Sequence, residues 1–193
     1  GLGARLLQRG LSSLGNQMHY LSPTWQIYEA WCLVSLAKAL TDREGVDWQT
    51  LKVSGCQMAL ATRVGDREIR LYFQLRCPSL RDSALGYSSI SRERIPDMVI
   101  EVRQGEEVGF VCLDAKYRVS SQSVLDAMAS AHIYHDAIRW QGRRPRAAFL
   151  VVPHAQSVPE MATEAYRARH GVGLIPLANK VDAEALWHLL LRT

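Results

Sequence analysis

Residues 95–117, IPDMVIEVRQGEEVGFVCLDAKY, constrain the fold of this chain more than any other stretch. Two apolar, β-branched-rich runs flank Gln104-Gly105-Glu106-Glu107, and a glycine leading a two-residue loop is the pattern of a tight hairpin with a type II′ turn. With Gly105-Glu106 as the loop, Arg103 faces Val108, and counting outward sets Asp97 opposite Asp114. Side chains on a strand alternate between faces, so Asp97, Val99 and Glu101 share one, as do Phe110, Cys112, Asp114 and Lys116. Opposed residues of an antiparallel pair point the same way, which gathers Asp97, Asp114 and Lys116 at the open end of the hairpin. Facing like charges destabilise a sheet unless something neutralises them, and a hard divalent cation held by carboxylates is the usual agent. The competing reading is an ordinary hairpin that frays into solvent, with Lys116 screening Asp114. Glu101-Val102-Arg103 offers another acid and cation, but Glu101 lies on the order of 13 Å along the strand from Asp97, too far to share an ion.

With 193 residues, 48% of them hydrophobic, the chain is one domain's worth of sequence and can bury a sizeable core. A formal net charge of +4 leans modestly towards polyanionic partners without separating a nucleic-acid binder from an ordinary basic protein. No apolar run approaches a membrane span and no signal-peptide pattern opens the chain, so a soluble cytoplasmic protein without a membrane partner is expected. Cys32, Cys56, Cys77 and Cys112 are scattered through apolar segments with no CxxC pair, which predicts buried free thiols and neither a zinc site nor a disulfide framework. The start at Gly1-Leu2-Gly3, without Met, reads as a cut from a longer protein. Residues 1–19 are accordingly expected to be an N-terminal helix or the tail of an upstream module, with residues 20–193 as the domain proper.

Leu2, Leu6, Leu7, Leu11 and Leu14 recur at near-helical spacing before Gly15-Asn16, a plausible helix stop. Ser22-Pro23 then predicts a helix to about Leu40, Ser as N-cap and Pro at the first helical position. Within it, Glu29 stands among Trp25, Cys32, Leu33 and Leu36, so a carboxylate interrupts the apolar stripe. A buried ionised carboxylate needs a cation, and Glu29 therefore meets a metal or a lysine, or else snorkels at the stripe's edge or pairs with Arg43 across a turn. Residues 51–61 and 67–77 read as a second hairpin around residues 62–66. Residues 78–94 read as a polar loop or strand edge in which Arg81, Arg92 and Arg94 suit either phosphate contact or plain solubility.

Ser121 or Ser123 is expected to cap a helix from about Val124 to Trp140, apolar along Val124, Ala127, Met128, Ala131, Tyr134 and Ile138. His132 and Asp136 at i, i+4 read more simply as a local hydrogen bond than as zinc ligands, because no third ligand is evident. A basic loop holding Arg143, Arg144 and Arg146 precedes residues 147–152, whose continuous apolar run predicts a fully buried strand. Residues 172–177 form another such run, and a closing helix is expected over 182–192. The order of elements predicts an α/β fold with a mixed central sheet flanked by helices.

Pro96-Asp97, followed after sixteen residues by Asp114-Ala115-Lys116, resembles the signature of the PD-(D/E)XK restriction-endonuclease-like superfamily. Tyr28-Glu29-Ala30-Trp31, Asp114-Ala115-Lys116-Tyr117, the run from His132 to Ile138, and the strands at 149–153 and 173–177 make the likeness narrower. In order, they resemble the McrC-type nuclease domains that accompany McrB-type AAA+ motors in modification-dependent restriction. That resemblance implies a restriction-endonuclease-like core over 20–193 and a Mg²⁺-dependent DNA endonuclease, with Mn²⁺ as a substitute. It implies DNA and an AAA+ NTPase as partners and a defence role. It further implies that Glu29, Asp97 and Asp114 are the catalytic and metal-binding acids, joined by the main-chain carbonyl of Ala115, while Lys116 positions the attacking water or stabilises charge on the phosphate. Ala131 and His135 depart from the Met and basic residue expected there, which leaves the role of that helix open. Phosphodiester hydrolysis needs a more acidic water and stabilised oxyanions, and these residue types supply both. The alternative is a nuclease-like subunit that binds DNA or assembles without cutting.

Overall fold

The computed structural model describes residues 24–118, 120–178, 186, 187 and 190. Helix α1 (Thr24–Glu44) is followed by β1 (Gln49–Thr50), β2 (Met58–Val64), β3 (Arg67–Phe73), β4 (Tyr87–Ser89), β5 (Met98–Gln104) and β6 (Glu107–Ala115). Then come α2 (Ser121–Ala137), β7 (Ile138–Trp140), β8 (Ala147–Val152), a 3₁₀ turn (Pro159–Ala162), α3 (Glu164–His170) and β9 (Val172–Pro176). Seven strands form one sheet in the order β1-β2-β3-β5-β6-β8-β9, antiparallel as far as β6 and parallel across β6-β8-β9. This is the expected α/β architecture, a mixed sheet flanked by helices and consistent with a restriction-endonuclease-like fold. No described helix is long and apolar enough to cross a membrane. The four cysteines are free, three of them buried.

The β5–β6 hairpin has the expected register, with Arg103 opposite Val108 and Gln104 closing on Glu107. Gly105 sits at φ +59 while Glu106 is not left-handed, the signature of a type II′ turn and not of type I′. Alternation along the two strands sends Met98, Ile100, Val111 and Leu113 to the face covered by α1, and Val99, Phe110 and Cys112 to the other. On the first face Leu33, Leu36 and Leu40 of α1 are fully buried, each contributing about 1.5–3 kcal/mol relative to exposure. Trp48 and Trp187 close this layer, their indole N–H groups donating to the carbonyls of Ala37 (2.9 Å) and Leu36 (2.7 Å). Val124, Met128 and Ala131 of α2 pack the opposite face against Leu150, Val152 and Leu174.

Several expected boundaries move. Helix α1 continues through Glu44, because the charged residues after Leu40 are compatible with a helix in which Lys38 pairs with Asp42 at i, i+4 (3.0 Å); only Gly45, at φ +66, ends it. Helix α2 starts from Ser120, whose hydroxyl accepts from the Ser123 N–H, and stops at Ala137. Ile138 and Trp140 go into a strand instead, since there both bury against the sheet on one side of β7. That strand pairs with β4, which lies inside the stretch read as a polar loop or strand edge, so the two make a small separate sheet. The second hairpin turns on Gly65-Asp66 alone. Leu186, Trp187 and Leu190 are helical where a closing helix is expected, while the remainder of 182–192, the leucine pattern of residues 2–14 and the Ser22-Pro23 start lie outside the described residues.

Glu101 is fully buried between the large and small sheets. Arg103 Nε donates to it at 2.6 Å and Tyr87 Oη at 2.7 Å, with Arg70 3.8 Å away. Arg103 also lies 5.4 Å from the Trp140 ring centroid, so one guanidinium serves a carboxylate and an aromatic face together. The acid set aside on distance is a structural staple that fixes the small sheet onto the large one.

Candidate active site

Asp97 directly precedes β5, one step beyond the last rung, Met98 opposite Leu113, and Asp114 is the next residue on the partner strand. Asp114 in turn sits beside Leu150 of the parallel strand β8, and the Lys116 N–H donates to Val151 O at 2.8 Å. The site thus lies where the antiparallel half of the sheet meets the parallel half, at the outgoing end of β6. Helix α1 carries Glu29 over that end.

The four expected residues come together. Glu29, Asp97 and Asp114 are buried, Asp114 to 1% exposure, and Lys116 is partly open to solvent. Lys116 Nζ is 3.1 Å from Asp114 Oδ2 and 3.9 Å from Asp97 Oδ2. The Ala115 N–H donates to the same Asp97 oxygen at 2.8 Å. Ser130 of α2 donates its hydroxyl to Asp114 Oδ2 at 2.5 Å; the Ala127 carbonyl is also within reach, but a carboxylate is the stronger acceptor. Asp114 Oδ1 is buried with no hydrogen-bond partner.

Gln74 is the residue that sequence reasoning missed. It follows β3 in a left-handed conformation (φ 52) and its main-chain N–H donates to Asp97 O at 2.8 Å. Its side-chain amide then donates to Glu29 Oε2 at 2.8 Å and Asp97 Oδ1 at 3.1 Å, so one NH₂ ties two acids from different elements. The available signal is a lone amide inside the apolar run Leu71-Tyr72-Phe73-Gln74-Leu75. Ser130 answers the question left open about α2: the helix reaches the site through Ser130, and through Tyr134, whose hydroxyl donates to Ile95 O just before Asp97.

Protonation follows from this crowding. Burial, with the Asp114 and Glu29 charges adding to it, pushes Asp97 up to about 8. Burial likewise takes Glu29 up to about 7, against the pull of Lys116. For Lys116, burial works against the ammonium, but the charges of Asp114 and Asp97 outweigh it and the pKa rises.

Among the described residues no three His, Cys, Asp or Glu side chains are arranged to hold a metal ion. The Lys116 ammonium and the Gln74 amide hold the spaces between the acids. The donor chemistry nonetheless fits a hard divalent cation, since every acid offers oxygen and a buried Asp114 oxygen lacks any partner. His132 and Asp136 are exposed, and Asp136 faces Arg144 at 3.5 Å, so that pair forms no metal site here.

The arginines divide between two places. Arg81 and Arg92 are exposed and Arg94, half-buried, pairs its main chain with Cys77 shortly before Asp97. Arg146 instead lies across Gly109 and donates its main-chain N–H to Phe110 O. At about 3.3 Å per residue that anchors the Arg143 to Arg146 loop more than 10 Å back along β6 from Asp114.

A mixed sheet with an acid pair and a lysine at adjoining central strand ends, met by a helix carboxylate, defines the restriction-endonuclease-like class of α/β folds. Residues 26–157, which include all four of these side chains, match the family model of the PD-(D/E)XK nuclease superfamily. The chain belongs to that superfamily, and its domain is a nuclease domain. No curated protein and no solved structure matches it significantly.

Proposed function

We propose that this chain is a Mg²⁺-dependent DNA endonuclease, the cleavage module of an McrBC-like restriction system in the cytoplasm, working with an McrB-type AAA+ NTPase. The observation that carries the chemistry is the buried Asp97–Asp114 pair with Lys116 3.1 Å from Asp114 and Glu29 brought over it by α1. Glu29, Asp97, Asp114 and the Ala115 carbonyl would hold the cation, which when bound supplies Lewis acidity and offsets charge on the phosphoryl oxygens. Lys116 meets the scissile phosphate with a mobile positive charge. Asp97 is held in place by the Ala115 N–H, and Asp114 by Ser130. The McrC-type assignment rests on the ordered motifs at residues 28–31, 96–97, 114–117, 132–138, 149–153 and 173–177. Exposed Arg81 and Arg92, Arg94 three residues before Asp97, and Arg143, Arg144 and Arg146 farther along the sheet are the proposed backbone contacts, each phosphate neutralised steepening the salt dependence by about 0.9 on duplex DNA.

The second reading, a DNA-binding or assembly subunit without chemistry, is favoured by Lys116 and Gln74 occupying the spaces between the acids. Nicking of supercoiled plasmid with Mg²⁺ separates the two. The parent cuts and is silenced by chelation; Asp97→Asn and Asp114→Asn lose about 100-fold or more, as expected for groups that stabilise transition-state charge. Full activity in both variants would remove the site assignment, and an inert parent that still binds DNA would leave the second reading.

A further inference from the structure

Of the three exposed aromatic rings among the large apolar side chains of the described residues, two line a cleft at the acid site and the third stacks on Tyr28. These rings are Trp25 (53% exposed), Trp31 (38%) and Tyr117 (60%). Trp25 is one helical turn before Glu29 on α1, and Tyr117 follows Lys116 directly. A cleft of about 370 Å³ opens between them, with Glu29 and Lys116 in its wall and Arg118 at its rim. A second cleft of about 260 Å³ on the other side of Trp25 reaches Glu29 and Gln74. Tyr117 is fixed in place: its ring meets Tyr28 edge-on at 5.5 Å and 72°, and Tyr28 is stacked on Trp31 at 5.8 Å and 17°. Rings gathered at one cleft mark a binding surface where rings scattered singly do not, and Trp25 and Tyr117 border the same cleft as a lysine suited to phosphate.

We infer that Trp25 and Tyr117 form a stacking platform for an unpaired nucleobase, so that the favoured substrate is nucleic acid with unpaired bases next to the scissile phosphate. The inference rests on the nuclease reading and narrows its substrate. A phosphate seated at Lys116 carries its own sugar and base, and the cleft bordered by Trp25 and Tyr117 is the space beside it. A base inside a duplex has both faces covered by its neighbours and its edge paired, whereas an unpaired base presents a π-face to an aromatic ring. Stacking is indifferent to base identity, so the platform selects strand state and not sequence. The unpaired base has two sources, a single strand or a base displaced from a duplex.

Fluorescence anisotropy on the full chain, with Ca²⁺ replacing Mg²⁺ to suppress cutting, tests this on oligothymidine, a blunt duplex and the same duplex with one bulged base. Oligothymidine or the bulged duplex is expected to bind more tightly than the blunt duplex, and which of the two does so identifies the source. The Trp25→Ala/Tyr117→Ala double variant is expected to lose about tenfold on the preferred substrate and little on the blunt duplex, with Trp25→Phe/Tyr117→Phe restoring most of it. Trp25→Ala alone, which leaves the ring contacts of Tyr28 with Trp31 and Tyr117 in place, guards against misfolding of the double variant. 2-Aminopurine at the unpaired position should be quenched by the parent and less so by the alanine variants. If the parent nicks plasmid while the alanine variants bind and quench on all three substrates as the parent does, the platform falls and the nuclease reading stands. If the parent neither binds nor cuts any nucleic acid, the nuclease reading falls and takes the platform with it.

Discussion

Asp97 and Glu29 are held where neither keeps an ordinary carboxylate's affinity for protons: burial leads in both, raising them to about 8 and about 7. Raised folded-state values mean that the native state binds more protons than the unfolded chain between about pH 4 and pH 8. The stability associated with these protons is fully present below about pH 4 and is lost as pH rises through 7 to 8. Asp97→Asn removes the largest part of that loss, and its amide oxygen can still accept from the Ala115 N–H. In chelator at about pH 9 the variant is therefore expected to be more stable than the parent, on the order of 2 kcal/mol, since a tenfold change in proton affinity is about 1.4 kcal/mol and relaxation recovers part of the cost. The difference should vanish towards pH 4. Thermal melts across that range check it, and a variant less stable than the parent at high pH would show that Asp97 is retained for structure.

At the scale of elements, Glu101 joins three strands: it belongs to β5, takes Arg103 from the same strand, Tyr87 from β4, and approaches Arg70 of β3. Glu101→Ala leaves Arg103 and the Tyr87 hydroxyl without their buried acceptor, and a loss of about 3 kcal/mol is expected. The small sheet should open first, read as faster amide exchange at β4 and β7 than at β5 and β6; uniform acceleration would mean that the two sheets unfold together. The acid pair itself is legible in sequence because a two-residue loop fixes hairpin register and period-two alternation does the rest. Glu29 is legible as a charge inside an apolar stripe. Gln74 shows only as a lone amide in an apolar run and Ser130 not at all, because their approach depends on how β3 meets β5 and how α2 crosses the sheet. The end of α2 is missed for a related reason: Ile138 and Trp140 continue a helical period but gain more burial as alternate residues of a strand.

For the whole molecule, a ligand that binds only the native state adds stability by mass action, about 2.7 kcal/mol at one hundred times its dissociation constant. Mg²⁺ at such a concentration is expected to raise the melting temperature by roughly 5–10 °C for a chain of this size, most strongly above pH 8 where Asp97 and Glu29 are ionised. Asp114→Asn should abolish the gain, and calorimetric melts with and without the ion decide it. The seam between antiparallel and parallel halves of the sheet also bears on the order in which the chain assembles. The β2–β3 and β5–β6 hairpins close two-residue loops and can zip early, whereas β8 and β9 must wait for long crossovers. The main chain of Lys116 is anchored to Val151 of β8, so its backbone takes its final hydrogen bond only when that late strand docks. An early hairpin therefore brings the two carboxylates and their lysine to one end of the chain's first sheet, and the parallel half completes the site around them.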